Sequence, residues 1–176
     1  VGVDGKHRRN LSRSALDDRF PAVSPDGRRI IFSRWGGSID DPRTGLWLMN
    51  SDGSGQRKIP GIQPFGPLAP PVWSPDGTRV AFMTEGYSPP VGYIDSVFVL
   101  RVADSQLTTI EDALYPTWAP DGRRLAFLSE SLHSFRAGFQ HLSVANADGT
   151  NRRVVLTQGG IDSQPVWSTR GSLIAL

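Results

Sequence analysis

Cysteine is missing altogether from the 176 residues, so neither a disulfide nor a thiolate metal site is open to this chain. That absence leaves the redox compartment undecided. Lysine is nearly missing too: Lys6 and Lys58 are the only two, and arginine carries the basic side of a net charge of +2. So mild an excess is not the footprint of a nucleic-acid-binding domain, and no nucleic-acid partner is expected. No run of 18 apolar residues occurs, which excludes a membrane-spanning helix. The three histidines, His7, His133 and His141, lack metal-ligand spacing such as H-E-x-x-H, so neither a metal nor a cofactor is expected. There is no G-x-S-x-G elbow to present a serine nucleophile. No catalytic residue is assigned, and these residues are read as non-enzymatic; a catalytic domain elsewhere in a longer parent is compatible with that. The chain starts at Val1 without a visible signal peptide, which fits a processed product or a fragment.

What is plentiful is glycine (19) and proline (14), the punctuation of a turn-rich all-β chain. The punctuation repeats. Val23-Ser-Pro-Asp-Gly-Arg-Arg-Ile-Ile-Phe32, Trp73-Ser-Pro-Asp-Gly-Thr-Arg-Val-Ala-Phe82 and Trp118-Ala-Pro-Asp-Gly-Arg-Arg-Leu-Ala-Phe127 are near copies. A decayed fourth, Trp167-Ser-Thr-Arg-Gly-Ser-Leu-Ile-Ala-Leu176, closes the chain. Their glycines, Gly27, Gly77, Gly122 and Gly171, stand 50, 45 and 49 residues apart, the period of propeller blades. Between them falls a second turn, Asp52-Gly53 and Asp148-Gly149, with Asp104-Ser105 in that place in the second repeat.

Two tight turns per repeat, each between apolar runs, predict two hairpins, hence four strands. In the second repeat these are A at 71–74, B at 79–83, C at 96–101 and D at 106–110. In Ser-Pro-Asp-Gly, proline presets φ and glycine takes the left-handed position of a three-residue hairpin loop. The fourth copy loses the Pro-Asp pair but keeps Gly171, the residue with no cheap substitute. Strand B is apolar without alternation (Ile30-Ile31-Phe32, Val80-Ala81-Phe82, Leu125-Ala126-Phe127), as a strand covered on both faces must be. Trp73, Trp118 and Trp167 share one position of strand A and are expected between blades. Strand D, with Arg8-Arg9, Arg57-Lys58 and Arg152-Arg153, reads as an outer strand whose charges discourage edge-to-edge association.

The combination P-x-W-S-P-D-G-x-[RK]-[IVL]-A-F, followed some 25 residues on by an Asp-Gly turn, resembles the repeat of the TolB-like propeller proteins. The stretch 71–82 fits throughout, 115–127 departs at Ala119, and 20–32 carries Val23 for Trp and Ile31 for Ala. The resemblance implies an all-β propeller of four-stranded antiparallel blades, in three full blades and two partial ones. The blades span 20–66, 67–113 and 114–161, with 1–19 ending a preceding blade and 162–176 beginning a further one. An arc of a larger ring of about six blades is the first expectation, a closed four-blade ring the second. For function, the resemblance implies a periplasmic or extracytoplasmic scaffold that binds protein partners, among them cell-envelope lipoproteins or membrane-complex components. Two alternatives stay open: the gating propeller of a prolyl-oligopeptidase-like serine peptidase, and an oligosaccharide-binding or lyase propeller.

The B–C and D–A connections share one face of such a fold, and only they differ enough between repeats to encode specificity. Partner-binding candidates there are Arg34, Trp35, Asp40, Arg43, Tyr87, Tyr93, Phe135 and Arg136, residue types suited to interface hot spots. Asp18, Asp112 and Asp162 are candidate channel-mouth carboxylates, open either to a cation or basic partner segment or to strand-end hydrogen bonding.

Overall fold

The computed structural model describes residues 6, 9–38, 40–62, 69–88, 92–130, 139–159 and 164–176. Every regular element among them is a strand. The first antiparallel sheet runs β1 (Asp17–Val23), β2 (Arg29–Trp35), β3 (Gly45–Asn50), β4 (Arg57–Lys58). The second runs β5 (Val72–Trp73), β6 (Arg79–Ser88), β7 (Gly92–Arg101), β8 (Gln106–Glu111), and the third β9 (Leu114–Trp118), β10 (Arg124–Glu130), β11 (Phe139–Asn146), β12 (Arg153–Gly159). β13 (Val166–Trp167) and β14 (Ile174–Ala175) form a two-stranded fourth sheet. In all four, neighbours in sequence are neighbours in space, the blade order that the repeat predicts.

The repeated turn forms as its chemistry requires. Gly27, Gly77, Gly122 and Gly171 sit at φ of 67–70°, each donating its N–H to the carbonyl three residues back. Ser24 Oγ donates to Asp26 while accepting from Arg29 N (2.9 Å), and Ser74 does the same with Asp76 and Arg79. The fourth copy, without Pro and Asp, closes the same turn through Ser168 and Gly171.

Strand B is buried on both sides, with one face toward each neighbouring sheet. Ile31, Leu46 and Leu48 of the first sheet pack with Val80, Phe82 and Leu100 of the second. Ala81, Met83, Val97 and Val99 then meet Leu125 and Phe127 of the third, and the same cluster extends to Trp167 and Ile174. Phe82 stacks on Phe98 with ring centroids 5.6 Å apart.

Each junction carries the same polar clasp. The indole N–H of Trp73 donates to Ala22 O (3.0 Å), that of Trp118 to Val72 O (3.0 Å), and that of Trp167 to Thr117 O (3.2 Å). Over the three rings lie Arg29, Arg79 and Arg124 of the preceding sheet, at 5.1, 5.2 and 5.2 Å from the centroids. Arg29 and Arg79 also donate to the carbonyls of Gly77 and Gly122, both at 2.8 Å. One tryptophan and one arginine per repeat therefore join consecutive blades.

Three expectations are corrected. Residues 85–88 and 92–95, expected in the B–C loop, are strand: β6 and β7 continue pairing from Glu85↔Asp95 to Ser88↔Gly92, so strands B and C run longer in the second blade. The described residues 9–12 form no outer strand. They lie along the first sheet, where Leu11 packs on Ile30, Phe32 and Met49 and Gln56 donates to Ser12 O (2.9 Å). The strand-D basic residues are not simple charged edges either. Arg57 reaches Val102 O and Ser105 Oγ of the next sheet, both at 3.2 Å, while Lys58 Nζ donates to Pro42 O (2.8 Å). A guanidinium is long enough to leave its own edge and satisfy a neighbouring turn, which periodicity alone does not reveal.

A glycine comparison tests how residues 9–16 dock. A Cβ on Gly53 (φ +88) would lie 2.3 Å from Leu11 O, whereas one on Gly27 (φ +70) meets nothing within 4 Å. Gly53→Ala is expected to cost about 2–4 kcal/mol, from conformation plus overpacking, and Gly27→Ala about 1 kcal/mol from conformation alone. Urea midpoints of the two variants check this; equal shifts would place the N-terminal segment elsewhere.

Candidate functional site

On the B–C and D–A face of the first sheet, the start of β1 and the end of β2 frame a groove. The pairing Asp17↔Trp35, Asp18↔Arg34 and Arg19↔Ser33 sets its floor. A bulge at Phe20-Pro21 then breaks the register, with Phe20 at φ 51°. Bulges of this kind re-aim a side chain, and a non-glycine residue at positive φ stores strain. Here the bulge brings Phe20 beside Asp17, Arg19, Ser33, Arg34, Trp35 and Thr44, around a volume of about 290 Å³. Thr44 fastens the rim: its hydroxyl donates to Ser38 O (2.7 Å) and accepts from Gly36 N (2.8 Å).

Arg34 lies at the base of the groove, not on its surface. Its side chain is 7% exposed, and that of its partner Asp18 18%. Nε and Nη2 donate to the two carboxylate oxygens at 2.6 and 3.0 Å, and Nη2 also approaches Gln56 Oε1 at 3.4 Å. The guanidinium lies over the rings of Trp47 (4.5 Å) and Phe32 (5.3 Å). Burial pushes the Asp18 carboxyl up, but hydrogen bonds from Arg34 and Ser12 outweigh it and leave it below the usual aspartate value. The arginine expected as a surface hot spot is thus a buried pillar, because a paired aspartate and two aromatic faces satisfy it better than water does.

Trp35, one residue on, is the exposed aromatic of the groove at 40%. Asp40 is exposed in the following turn. Arg43 is exposed and bound to Asp41 through Nε (2.9 Å) and Nη2 (2.6 Å), which holds the Asp41 carboxyl down to about 2. Arg19 pairs with Asp17 on the open side. Tyr87 and Tyr93 stand opposite each other in the backbone register of the β6–β7 hairpin, away from this groove in sequence and sheet. Phe135, Arg136 and Asp162 lie outside the described residues.

Of the channel-mouth carboxylates, the two described, Asp18 and Asp112, are held by different arginines. Asp18 belongs to Arg34, and Asp112 accepts from Arg152 Nη2 (3.1 Å); that arginine also donates from Nη1 to Glu111 O and from Nη2 to Asp112 O, and its guanidinium lies over Phe127. Both carboxylates accept from an arginine side chain. Among the described residues no three metal-ligating side chains converge. What sequence reasoning missed is Phe20, and with it Tyr115, the other residue preceding the strand-A proline at positive φ (50°). The signal was available: Phe20-Pro21 and Tyr115-Pro116 occupy one repeat position, and each interrupts its ladder with a bulge.

No family model matches the chain. An uncharacterized protein of Agrobacterium fabrum is 32% identical over 90 residues, which cover 47% of this chain and 30% of that protein. Among solved structures, an oligogalacturonate lyase from Vibrio parahaemolyticus is similar with a TM-score of 0.68 and 15% identity, over 99% of this chain and 51% of that one. The β-propeller domain of the Trilobed protease from Pyrococcus furiosus is similar with a TM-score of 0.58 and 14% identity, over 86% and 45% of the two chains. The chain thus spans about half the length of these structures and 30% of the relative's. Likeness at these identities shows the fold: a β-propeller of four-stranded blades.

Proposed function

We propose that these residues act as a non-enzymatic binding scaffold, related in its repeat to the TolB-like propellers, which holds a protein partner on the face bearing the B–C and D–A connections. The supporting observation is the groove at the end of β1 and β2, where Trp35 is exposed on a strand end that Arg34 and Asp18 make rigid. A large aromatic that pays no ordering entropy on binding is the side chain most effective at an interface. The paired charges around it, Asp17 with Arg19 and Asp41 with Arg43, form a polar rim. The repeat resemblance supports an extracytoplasmic, periplasmic setting and partners drawn from the cell envelope.

Trp35→Ala is expected to weaken partner binding by at least about 2 kcal/mol, more than tenfold in affinity, while leaving the thermal transition near that of wild type. The comparison variant is Val155→Ser, on the exposed outer strand β12, which should bind normally. The measurement is a pull-down from cell-envelope extract followed by titration of the purified captured protein. If Val155→Ser abolishes binding and Trp35→Ala does not, the partner grips the rim of the propeller and this reading fails.

A further inference from the structure

The first two junctions between blades differ at one outer position. In the first sheet Arg57 stands opposite Leu48, and its guanidinium crosses to the second sheet, donating to Val102 O and Ser105 Oγ, both at 3.2 Å. The matching residue of the second sheet is Thr108, which stands opposite Val99. Leu48 and Val99 are matched in turn, since each pairs with the residue four past its turn glycine, Ile31 and Ala81. A threonine side chain is too short to cross. The accepting backbone is nonetheless repeated: Ala147 N donates to Arg123 O (2.9 Å) as Val102 N does to Thr78 O (3.0 Å), so the third sheet turns here as the second does.

What remains is a notch of about 180 Å³, lined by Arg79, Arg101, Gln106 and Thr108 of the second sheet and by Ala147 and Asp148 of the third. It opens among the C–D turns, at the other end of the strands from the Trp35 groove, and does not depend on the role given to that groove. Asp148 has no counterpart at the first junction, where Ala103 stands in its place, and it puts an exposed carboxylate next to the Ala147 carbonyl. Thr150 holds it there, donating to Oδ1 from N (3.0 Å) and Oγ1 (2.6 Å). The two arginines in the wall do not reverse this charge pattern. Arg101 is bound to Asp104 and Gln106, and Arg79 donates to Gly122 O (2.8 Å) while lying over Trp118. Arg29 is held in the same way, by Gly77 O and Trp73, at the junction that accommodates Arg57.

We propose that this notch is a binding site for a guanidinium group, filled by an arginine side chain of a partner protein. The partner supplies from outside the link that Arg57 makes within the chain at the junction before. Its forked donors meet Ala147 O and the Asp148 carboxylate, a pair of acceptors that suits a planar guanidinium better than the single point of an ammonium. Its apolar stem lies along Val99 and Thr108.

Titration of the isotope-labelled chain with N-acetyl-arginine methylamide, followed through its backbone amide chemical shifts, tests this. Saturating shifts are expected at Thr108, Ala147 and Asp148. The lysine analogue should bind about fivefold more weakly, because one ammonium does not bridge both acceptors. Asp148→Asn keeps an oxygen for Thr150 but loses the charge, and should weaken the arginine probe by about fivefold as well. Thr108→Arg, which gives the second junction the side chain of the first, should abolish binding. The absence of saturating shifts at these residues overturns the proposal. So does equal binding of the lysine probe, or indifference to either substitution. Inorganic phosphate taking the notch in preference to the arginine probe overturns it too, and would assign the site to Arg79 and Arg101 as one for anions.

Discussion

Trp118→Ala is expected to lower the stability of the chain by about 3–5 kcal/mol, the range for emptying a large aromatic site in a core. The residue is 7% exposed and packs within the largest apolar cluster, between the second and third sheets. Truncation removes three things at once: the ring volume, the surface on which Arg79 lies, and the indole N–H that donates to Val72 O. Trp118→Phe separates these contributions, keeping most of the volume while deleting the N–H, and should cost about 1–2 kcal/mol. Equilibrium denaturation of both variants checks the order. A Trp118→Ala midpoint equal to that of wild type would mean that the blades do not meet at this residue.

Arg34→Ala is expected to be nearly as damaging, about 3 kcal/mol, with a charge term added to the lost packing. It leaves the Asp18 carboxylate, 18% exposed, without its bidentate partner. Double substitution to Arg34→Met with Asp18→Asn should recover much of the loss, since a pair replaced by neutral groups leaves no orphaned charge. The pair also sets a pH dependence. The Asp18 carboxyl is lowered in the folded state, so its stabilisation is complete above the unfolded aspartate value near 3.9 and is lost as pH falls through the lower folded value. Acid unfolding of Asp18→Asn should therefore be flatter than that of wild type in this window. Parallel acid profiles would mean that the pair does not persist in solution.

The repeat made the turns, the four-strand blades and the inter-blade tryptophans legible, because each rests on local chemistry: a glycine at positive φ, a doubly apolar strand, an indole at a constant position. The site was less legible, since its determinants are pairings between strands. Nothing local distinguishes Arg34, which lies over Trp47 and Phe32, from Arg43 on the surface nine residues later. Their fates depend on Asp18, which β1 brings opposite Arg34. The stretch 85–95 looked like a loop because its prolines and glycines read as breakers, yet the strands run on to Ser88 and resume at Gly92. Arg57 and Arg152 show the same limit. The reach of Arg57 into the next sheet, and of Arg152 back to the end of β8, is a matter of side-chain length and geometry, not of pattern.

The clasp also shifts the boundary of the energetic unit relative to the repeat. Strand A of a repeat and the turn after it supply the indole and the turn carbonyl that the preceding blade's arginine needs. They complete the blade before them as much as they begin their own. During synthesis, a blade emerging from the ribosome gains its junction once the next Trp-Ser-Pro-Asp-Gly is out, without waiting for that repeat's outer hairpin. Assembly then proceeds in overlapping steps, each short in chain length, so a propeller built largely from distant contacts is never far from a satisfied intermediate.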